Sequence, residues 1–258
     1  MQPQLIKYLR NSRPVRLVYE LLRYLARFPG YCAEYQRFKR LSYGKDRFSL
    51  HWRNRFPCLD DRTIATAFDR HYIYQTAWAA RVLALIQPEL HVDISSQLQF
   101  ATMVSAFVPL KFYDYRPADL RLDNLTSESA DLLALPFADD SIRSLSCMHV
   151  VEHIGLGRYG DPLDPEGDLK AMAELKRVLA PRGELLFVVP VGRPLLAFNA
   201  HRIYSVAQVL AQFAGLELIE FALIPDVSGD GGLIRHAPLQ MADLQEYGCG
   251  CFHFRKPV

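Results

Sequence analysis

The chain has 258 residues, half of them apolar, which suffices for one large hydrophobic core or two small ones. No stretch reaches the roughly 18 consecutive apolar residues that a membrane span requires, and residues 1–17 carry charges where a signal peptide needs its apolar run. The five cysteines are odd in number and widely spread, which excludes a disulfide framework. We therefore expect a cytoplasmic protein.

The net charge of +2 conceals an uneven distribution. Residues 1–60 hold 13 Lys and Arg against 4 Asp and Glu, a net charge of +9, whereas the remainder carries −7. Such asymmetry indicates a basic N-terminal arm with an anionic or protein partner. The arm contains no recognisable module for reading nucleic acid, so a nucleic-acid partner is not expected.

A basic amphipathic helix is predicted for residues 14–41, and Pro29-Gly30 should end or kink it. This helix either docks on protein, its own domain or a second copy, or lies on an anionic membrane surface, peripheral to the inner membrane. Residues 42–62 read as loop or short helices, and 64–86 as a helix. The apolar stripe of the first helix consists of Leu17, Leu21, Tyr24, Leu25 and Phe28. The expected buried face of the helix at 64–86 consists of Tyr72, Gln75, Trp78, Ala79 and Val82.

From residue 88 onward, short apolar runs alternate with helical patterns, which predicts a doubly wound α/β domain with a mostly parallel, seven-stranded, Rossmann-like sheet. Residues 1–87 then form an N-terminal helical extension and 88–258 the α/β domain. Segment 184–189 is apolar throughout and should be an interior strand, and 249–254 should be antiparallel. The other strands are expected at 90–94, 110–113, 130–133, 144–148 and 216–224, and helices at 98–107, 169–179 and 206–213.

Two motif-rich stretches carry a resemblance to a known fold. ADLLALPFADDSIRSLSCMHVVEHIG and LKAMAELKRVLAPRGELLFVVPVG resemble the middle of a class I S-adenosylmethionine-dependent methyltransferase that acts on small molecules. Five shorter segments are similar to a bacterial group known as domain of unknown function family 268, which is associated with surface-polysaccharide gene clusters. These segments are HVDISS, DYRP, HVVEHIGLGRYGDPLDPEG, FNAHRIYS and YGCGCFHF.

The resemblance implies an O-methyltransferase that uses S-adenosylmethionine and acts on a surface glycan or its nucleotide-linked precursor. The alternative is a cofactor-free relative that serves as a binding or assembly partner in glycan synthesis. The loop after the first strand discriminates them, because methyltransferases usually carry D/E-x-G-x-G there. Here residues 93–97 read Asp-Ile-Ser-Ser-Gln, without either glycine, and the large Gln97 could fill the methionine pocket.

The same resemblance assigns cofactor contacts to five positions. Asp93 would organise the loop and the methionine amine, with Ser95 beside it. Asp114, at the end of the second strand, would accept hydrogen bonds from both ribose hydroxyls. Asp131 would contact the adenine amine, with Leu132 next to it.

Three polar residues follow the fourth strand, where open α/β sheets bind ligands. His149, Glu152 and His153 are therefore the candidate catalytic residues, since transfer to a hydroxyl needs a base that works near neutral pH. The spacing H-x-x-E-H is not read as a metal site, because zinc motifs of that form require a helix. Cys249 and Cys251 are interpreted as small residues of a packed strand, so no metal is expected.

Candidate substrate contacts lie in the loop 155–168 and after the fifth strand. The guanidinium of Arg158 in that loop could bind a phosphate or carboxylate of the acceptor. Because parallel neighbouring strands end at one edge, residues that follow the fourth and fifth strands should share one pocket. The predicted substrate-binding residues are Arg158, Tyr159, Asn199, His201 and Arg202.

Overall fold

The computed structural model describes residues 13–44 and 47–258. The chain divides into two compact units, Met1–Ala67 and Phe68–Val258. The sequence placed the boundary later, between residues 87 and 88, and the difference concerns a single helix. That helix belongs to the second unit because Trp78 and Leu83 are fully buried in its core.

The first unit is built around helix α1 (Arg13–Leu41), with a short 3-10 turn at Trp52–Asn54. The helix continues through Pro29, so the predicted end at Pro29-Gly30 is wrong. A proline removes one backbone hydrogen bond, which the remaining turns of a long helix can tolerate. Arg27 on this helix pairs with Asp60.

The apolar side of α1 faces solvent. Leu17, Leu21 and Leu25 are 64%, 57% and 57% exposed. Within the described ranges, no helix combines the length and the apolar character that crossing a membrane requires. The predicted partner of this surface remains a prediction.

The second unit is an α/β domain with a mostly parallel seven-stranded sheet, as predicted. The strands of this unit are β1 (His91–Ile94), β2 (Leu110–Asp114), β3 (Leu125–Ser129), β4 (Ile142–Met148), β5 (Leu179–Val191), β6 (Leu195–Ala197), β7 (His201–Ile203), β8 (Glu217–Ile224) and β9 (Gly248–Arg255). The seven-stranded sheet has the order β3-β2-β1-β4-β5-β9-β8, and β9 runs antiparallel to both neighbours. Strands β6 and β7 pair with each other in a separate two-stranded sheet. The helices of this unit are α2 (Arg70–Ile86), α3 (Leu98–Val104), α4 (Gly167–Val178), α5 (Val206–Gln212) and α6 (Gln240–Asp243).

Helices cover both faces of the sheet. Along the central strand β5, Phe187 packs into one apolar cluster and Val188 into the other, because successive strand residues point to opposite faces. One cluster includes α4 and α5, and the other includes α2 and α3. The buried strands therefore form a rigid base from which the loops at the carboxyl edge project.

For two of the elements whose bounds differ from the prediction, a carboxylate accounts for the difference. The third strand ends at Ser129, before the predicted segment 130–133, because Asp131 Oδ1 accepts the Leu133 N–H at 2.9 Å and closes a turn. Helix α2 begins at Arg70 and not at residue 64, because Asp69 caps it by accepting the Tyr72 N–H at 3.2 Å.

Candidate functional site

Two adjacent cavities lie at the carboxyl edge of the sheet. One of about 300 Å³, here named the aspartate cavity, is lined by Ser95, Asp114, Arg116, Asp131, Leu132 and Tyr159, together with His149 and His153. The other, of about 320 Å³ and named the histidine cavity, is lined by Asp69, His71, Tyr72, Glu152, Arg158, His201 and Tyr247, again with His149 and His153. Since His149 and His153 line both, the cavities share a wall.

In two carboxylates of the aspartate cavity, one of the two oxygens accepts a hydrogen bond from the nearby backbone. Asp114 Oδ1 accepts the Arg116 N–H at 2.7 Å, and Asp131 Oδ1 accepts the Leu133 N–H at 2.9 Å. These bonds fix both side chains at the strand ends. Within the described part of the chain no hydrogen bond reaches either Oδ2 oxygen, so each is available to a ligand.

The loop between β1 and α3 keeps a glycine-like turn without glycine. Ser95 has φ of 54°, in the left-handed region that glycine favours, and its N–H donates to the Tyr113 carbonyl at 2.7 Å. Gln97 precedes α3 and is not among the residues that line either cavity, so the expectation that it fills the cofactor pocket is not supported.

Asp93 lies behind the aspartate cavity and does not line it. The side chain is fully buried and accepts a hydrogen bond from the Ser146 hydroxyl, while Oδ2 has no partner among the described residues. Burial raises the pKa of Asp93 to about 7, although the hydrogen bond from Ser146 opposes the shift. His91 continues this buried polar row, since its two ring nitrogens lie 2.8 Å from the hydroxyls of Ser144 and Ser146.

A histidine–glutamate pair forms the shared wall. Nδ1 of His149 lies 2.6 Å from Glu152 Oε1, and both side chains are almost fully buried. Burial favours the neutral form of Glu152, but the adjacent His149 and this hydrogen bond bring the pKa of Glu152 below its usual value. Nε2 of His149 has no hydrogen-bond partner in residues 13–44 and 47–258.

A hydrogen bond to one ring nitrogen also fixes the orientation of the His153 ring. Its Nδ1 donates to the Ala200 carbonyl at 2.6 Å, which leaves Nε2 as the basic nitrogen. Burial lowers the pKa of His153, so the ring is neutral near pH 7. The exposed Arg158 places Nη1 3.3 Å from Nε2 of His153 and 3.0 Å from the Ala200 carbonyl.

Residues of α2 and of the turn that precedes β9 complete the histidine cavity. The ring of His71 stacks between those of His149 and Tyr247, with centroid distances of 5.4 and 5.0 Å. Burial, followed by the nearby His149, lowers the pKa of His71 to about 4. Burial raises the pKa of Tyr247 to about 12, and the Glu152 carboxylate adds to that shift. Sequence reasoning missed His71 and Tyr247 as site residues. No motif contains His71, and the segment YGCGCFHF, which begins with Tyr247, was not assigned a role in the site.

The predicted substrate residues divide into two groups. Arg158 and His201 line the histidine cavity, and Tyr159 lines the aspartate cavity. Asn199 and Arg202 are not among the residues that line either cavity. They hold neighbouring loops together instead.

The contacts of these two residues explain their position. Asn199 Nδ2 donates to the Leu156 carbonyl at 3.3 Å. Arg202 is 6% exposed, donates to the Ile154 carbonyl at 2.7 Å and pairs with Asp168 at 3.4 Å. The guanidinium of Arg202 is thus committed to buried partners, which does not support the predicted contact with substrate.

Comparison with known proteins agrees with the fold. The model of a family described as "Caenorhabditis protein of unknown function, DUF268" matches residues 137–223. The resemblance to domain of unknown function family 268 is thereby supported over that segment, whereas the expected bacterial origin of the group is not. No curated protein matches the chain.

Three solved structures have a similar fold, each with a TM-score of 0.50. YcgJ of Bacillus subtilis is 14% identical, and the match covers 72% of this chain and 99% of that one. A putative methyltransferase of Bacillus halodurans is 16% identical, with coverages of 72% and 100%. The 1,6-didemethyltoxoflavin-N1-methyltransferase of Burkholderia thailandensis, solved with S-adenosylhomocysteine, is 11% identical, with coverages of 71% and 79%. The second unit therefore has a class I methyltransferase-like fold.

Proposed function

We propose that this protein is an S-adenosylmethionine-dependent methyltransferase, with the cofactor in the aspartate cavity and the acceptor in the histidine cavity. The shared wall of the two cavities is the observation that carries this proposal. A group transfer needs its donor and acceptor side by side, and two joined cavities at the carboxyl edge provide that arrangement.

The aspartate cavity suits the cofactor because its carboxylates stand at two successive strand ends. The unused oxygen of Asp114 would accept from the ribose hydroxyls, and that of Asp131 from the adenine amine. Leu132 offers apolar contact, and the turn at Ser95 brings backbone close to the cavity. Asp93 lies behind that turn, where a positively charged amine would favour its ionised form. Bound there, S-adenosylmethionine supplies an electrophilic methyl group on a sulfonium.

The acceptor hydroxyl would lose its proton to His153. The neutral ring and the anchored Nδ1 make Nε2 the nitrogen that receives it. The acceptor oxygen would form its bond to the methyl carbon while the bond from that carbon to the sulfonium sulfur breaks. The O–H proton would pass to His153, and the products would be a methyl ether and S-adenosylhomocysteine. Glu152 and His149 fix the remainder of the wall through their hydrogen bond.

The acceptor we propose is a surface glycan or its nucleotide-linked precursor. The walls of the histidine cavity support this assignment, because they present imidazoles, phenols and two carboxylates to a molecule rich in hydroxyls. Arg158 is exposed and could pair with a phosphate of a nucleotide-linked sugar. Such pairing would move its guanidinium away from Nε2 of His153 and free the base.

One observation favours a second candidate function. Residues 93–97 contain no glycine, and the Ser96 hydroxyl accepts the Met148 N–H at 3.1 Å, which ties the loop to the end of β4. A chain whose cofactor loop is closed in this way would act as a cofactor-free binding or assembly partner in glycan synthesis.

Calorimetry with S-adenosylmethionine and S-adenosylhomocysteine separates the two functions. A methyltransferase should bind S-adenosylhomocysteine, and Asp114→Ala should abolish the signal. Asp119→Ala is a matched control, since Asp119 is exposed, pairs with Arg121 and is absent from the cavity lining. Absence of binding to the wild-type protein would favour the cofactor-free function, and unchanged affinity in Asp114→Ala would refute the assigned cofactor site.

A further inference from the structure

Three side chains from distant elements meet at one wall of the histidine cavity. A ring nitrogen of His71, a ring nitrogen of His149 and Sγ of Cys249 all lie within 4.8 Å of one another. His71 comes from the first turn of α2, His149 follows β4 and Cys249 lies on β9. His71 and His149 line the cavity, whereas Cys249 is fully buried.

His149 has the environment of a metal-ligating histidine. Its Nδ1 is bonded to the Glu152 carboxylate at 2.6 Å, so Nε2 is the nitrogen left for a ligand. The side chain is 4% exposed, and Nε2 has no hydrogen-bond partner in the part of the chain that the structure describes. A buried polar atom without a partner is costly. Carboxylate–histidine pairs of this kind orient the ligands of zinc sites and raise their basicity.

The donor set and its spacing suit zinc. Two imidazole nitrogens and a thiolate are preferred zinc ligands, and three protein ligands with an open fourth position are typical of catalytic sites. Zinc bonds of about 2.0–2.3 Å place tetrahedral ligand atoms roughly 3.3–3.7 Å apart. The three atoms would therefore approach by about 1 Å. Rotation of the His71 ring out of its stack with His149 can provide this movement.

We infer that His71, His149 and Cys249 bind one Zn²⁺ ion, with Glu152 as the hydrogen-bonded support and the fourth position open to the histidine cavity. The sequence predicted no metal, because the zinc motif of the form H-x-x-E-H requires a helix, whereas here the segment follows directly on a strand. The cluster uses only one histidine of that segment and takes its other ligands from α2 and β9.

The ion would extend the proposed methyl transfer. In the open position it would bind the acceptor oxygen as a Lewis acid and lower the pKa of the hydroxyl, while His153 receives the proton. This use of the ion rests on the proposed function, whereas the binding site itself does not. Metal binding and cofactor binding can thus fail separately.

The experiment uses the full chain without an affinity tag. Zinc titration by calorimetry should give one equivalent, and Co²⁺ used as a probe should show a thiolate-to-cobalt charge-transfer band together with the visible bands of a tetrahedral ion. Cys249→Ala should remove the charge-transfer band. Cys251→Ala is a matched control, because Cys251 is equally buried on the same strand but lies outside the cluster.

Two further variants keep the test decisive. His71→Ala changes a half-buried residue in the first turn of α2 and should lower zinc affinity without unfolding the chain, even if Cys249→Ala fails to fold. Glu152→Gln should lower zinc affinity about 10- to 100-fold and leave the stoichiometry unchanged. The inference is overturned if the wild-type protein takes up no stoichiometric zinc. It is also overturned if His71→Ala binds as tightly as wild type, or if the two cysteine variants lose the cobalt band equally.

Discussion

Replacement of Asp93 by asparagine should make the apoprotein less sensitive to pH and more stable above neutrality. Burial raises the pKa of Asp93 from 3.8 to about 7 in the folded chain. Between these values the carboxyl group ionises in the unfolded chain but stays neutral in the folded chain, so stability falls as pH rises, by about 1.4 kcal/mol per unit. Above pH 7 the full cost is on the order of 4 kcal/mol.

The asparagine amide keeps the neutral form at every pH and can still accept the Ser146 hydrogen bond. Its N–H₂ group replaces an oxygen that has no partner among the described residues, and an unsatisfied donor there costs about 1–3 kcal/mol. We therefore expect Asp93→Asn to be less stable than wild type near pH 4 and more stable by about 1–3 kcal/mol at pH 8. The change in the difference, about 4 kcal/mol, does not depend on the cost of the amide.

Urea unfolding at several pH values between 4 and 8 measures this change directly. Asp119→Asn is the control, because it makes the same substitution at an exposed carboxylate outside the core. If the difference in unfolding free energy between wild type and Asp93→Asn is the same at pH 4 and at pH 8, Asp93 is not held neutral by burial and the reasoning fails. The same variant should bind S-adenosylhomocysteine more weakly, because the neutral amide no longer attracts its ammonium group.

Three further outcomes are expected. Trp78→Ala should cost about 3–5 kcal/mol of unfolding free energy in urea, because the ring is fully buried, and a cost below about 1 kcal/mol would contradict the place of α2 in the core. His153→Gln should slow methyl transfer about 10²- to 10⁴-fold, measured as released S-adenosylhomocysteine, with unchanged cofactor affinity, whereas the exposed control His236→Gln should not; equal rates in both would remove His153 as the base. The full chain should pellet with anionic liposomes at low salt, and this binding should be lost at high salt or when residues 1–41 are removed. If the full chain never pellets and removal of residues 1–41 leaves the oligomeric mass unchanged, α1 has no intermolecular role.

The main elements of the fold follow from the sequence because their signals are local. The apolar run 184–189 indicates an interior strand, and it lies within β5 between β4 and β9. Alternating strands and helices indicate the parallel sheet, since short connections leave few other arrangements. The limits of β3 and α2 escaped prediction, because the turn at Asp131 and the cap at Asp69 can equally be read as parts of longer elements.

The sequence also determined one side of the candidate site. His149, Glu152, His153, Arg158 and His201 follow neighbouring parallel strands, and the structure brings all five to the histidine cavity. Their convergence follows from topology, because parallel strands end at a common edge.

Only the tertiary structure decided which residues face them. His71 and Cys249 lie far from His149 in the chain, and no periodicity or motif connects them. They meet because the core draws α2 onto one face of the sheet, where Trp78 and Cys249 share an apolar cluster, and because antiparallel pairing places β9 beside β5. Burial in the folded chain also raises the pKa of Asp93 and lowers the pKa of His71. These shifts cannot be read from the sequence, because the cost of a charge depends on the groups that surround it in the folded chain.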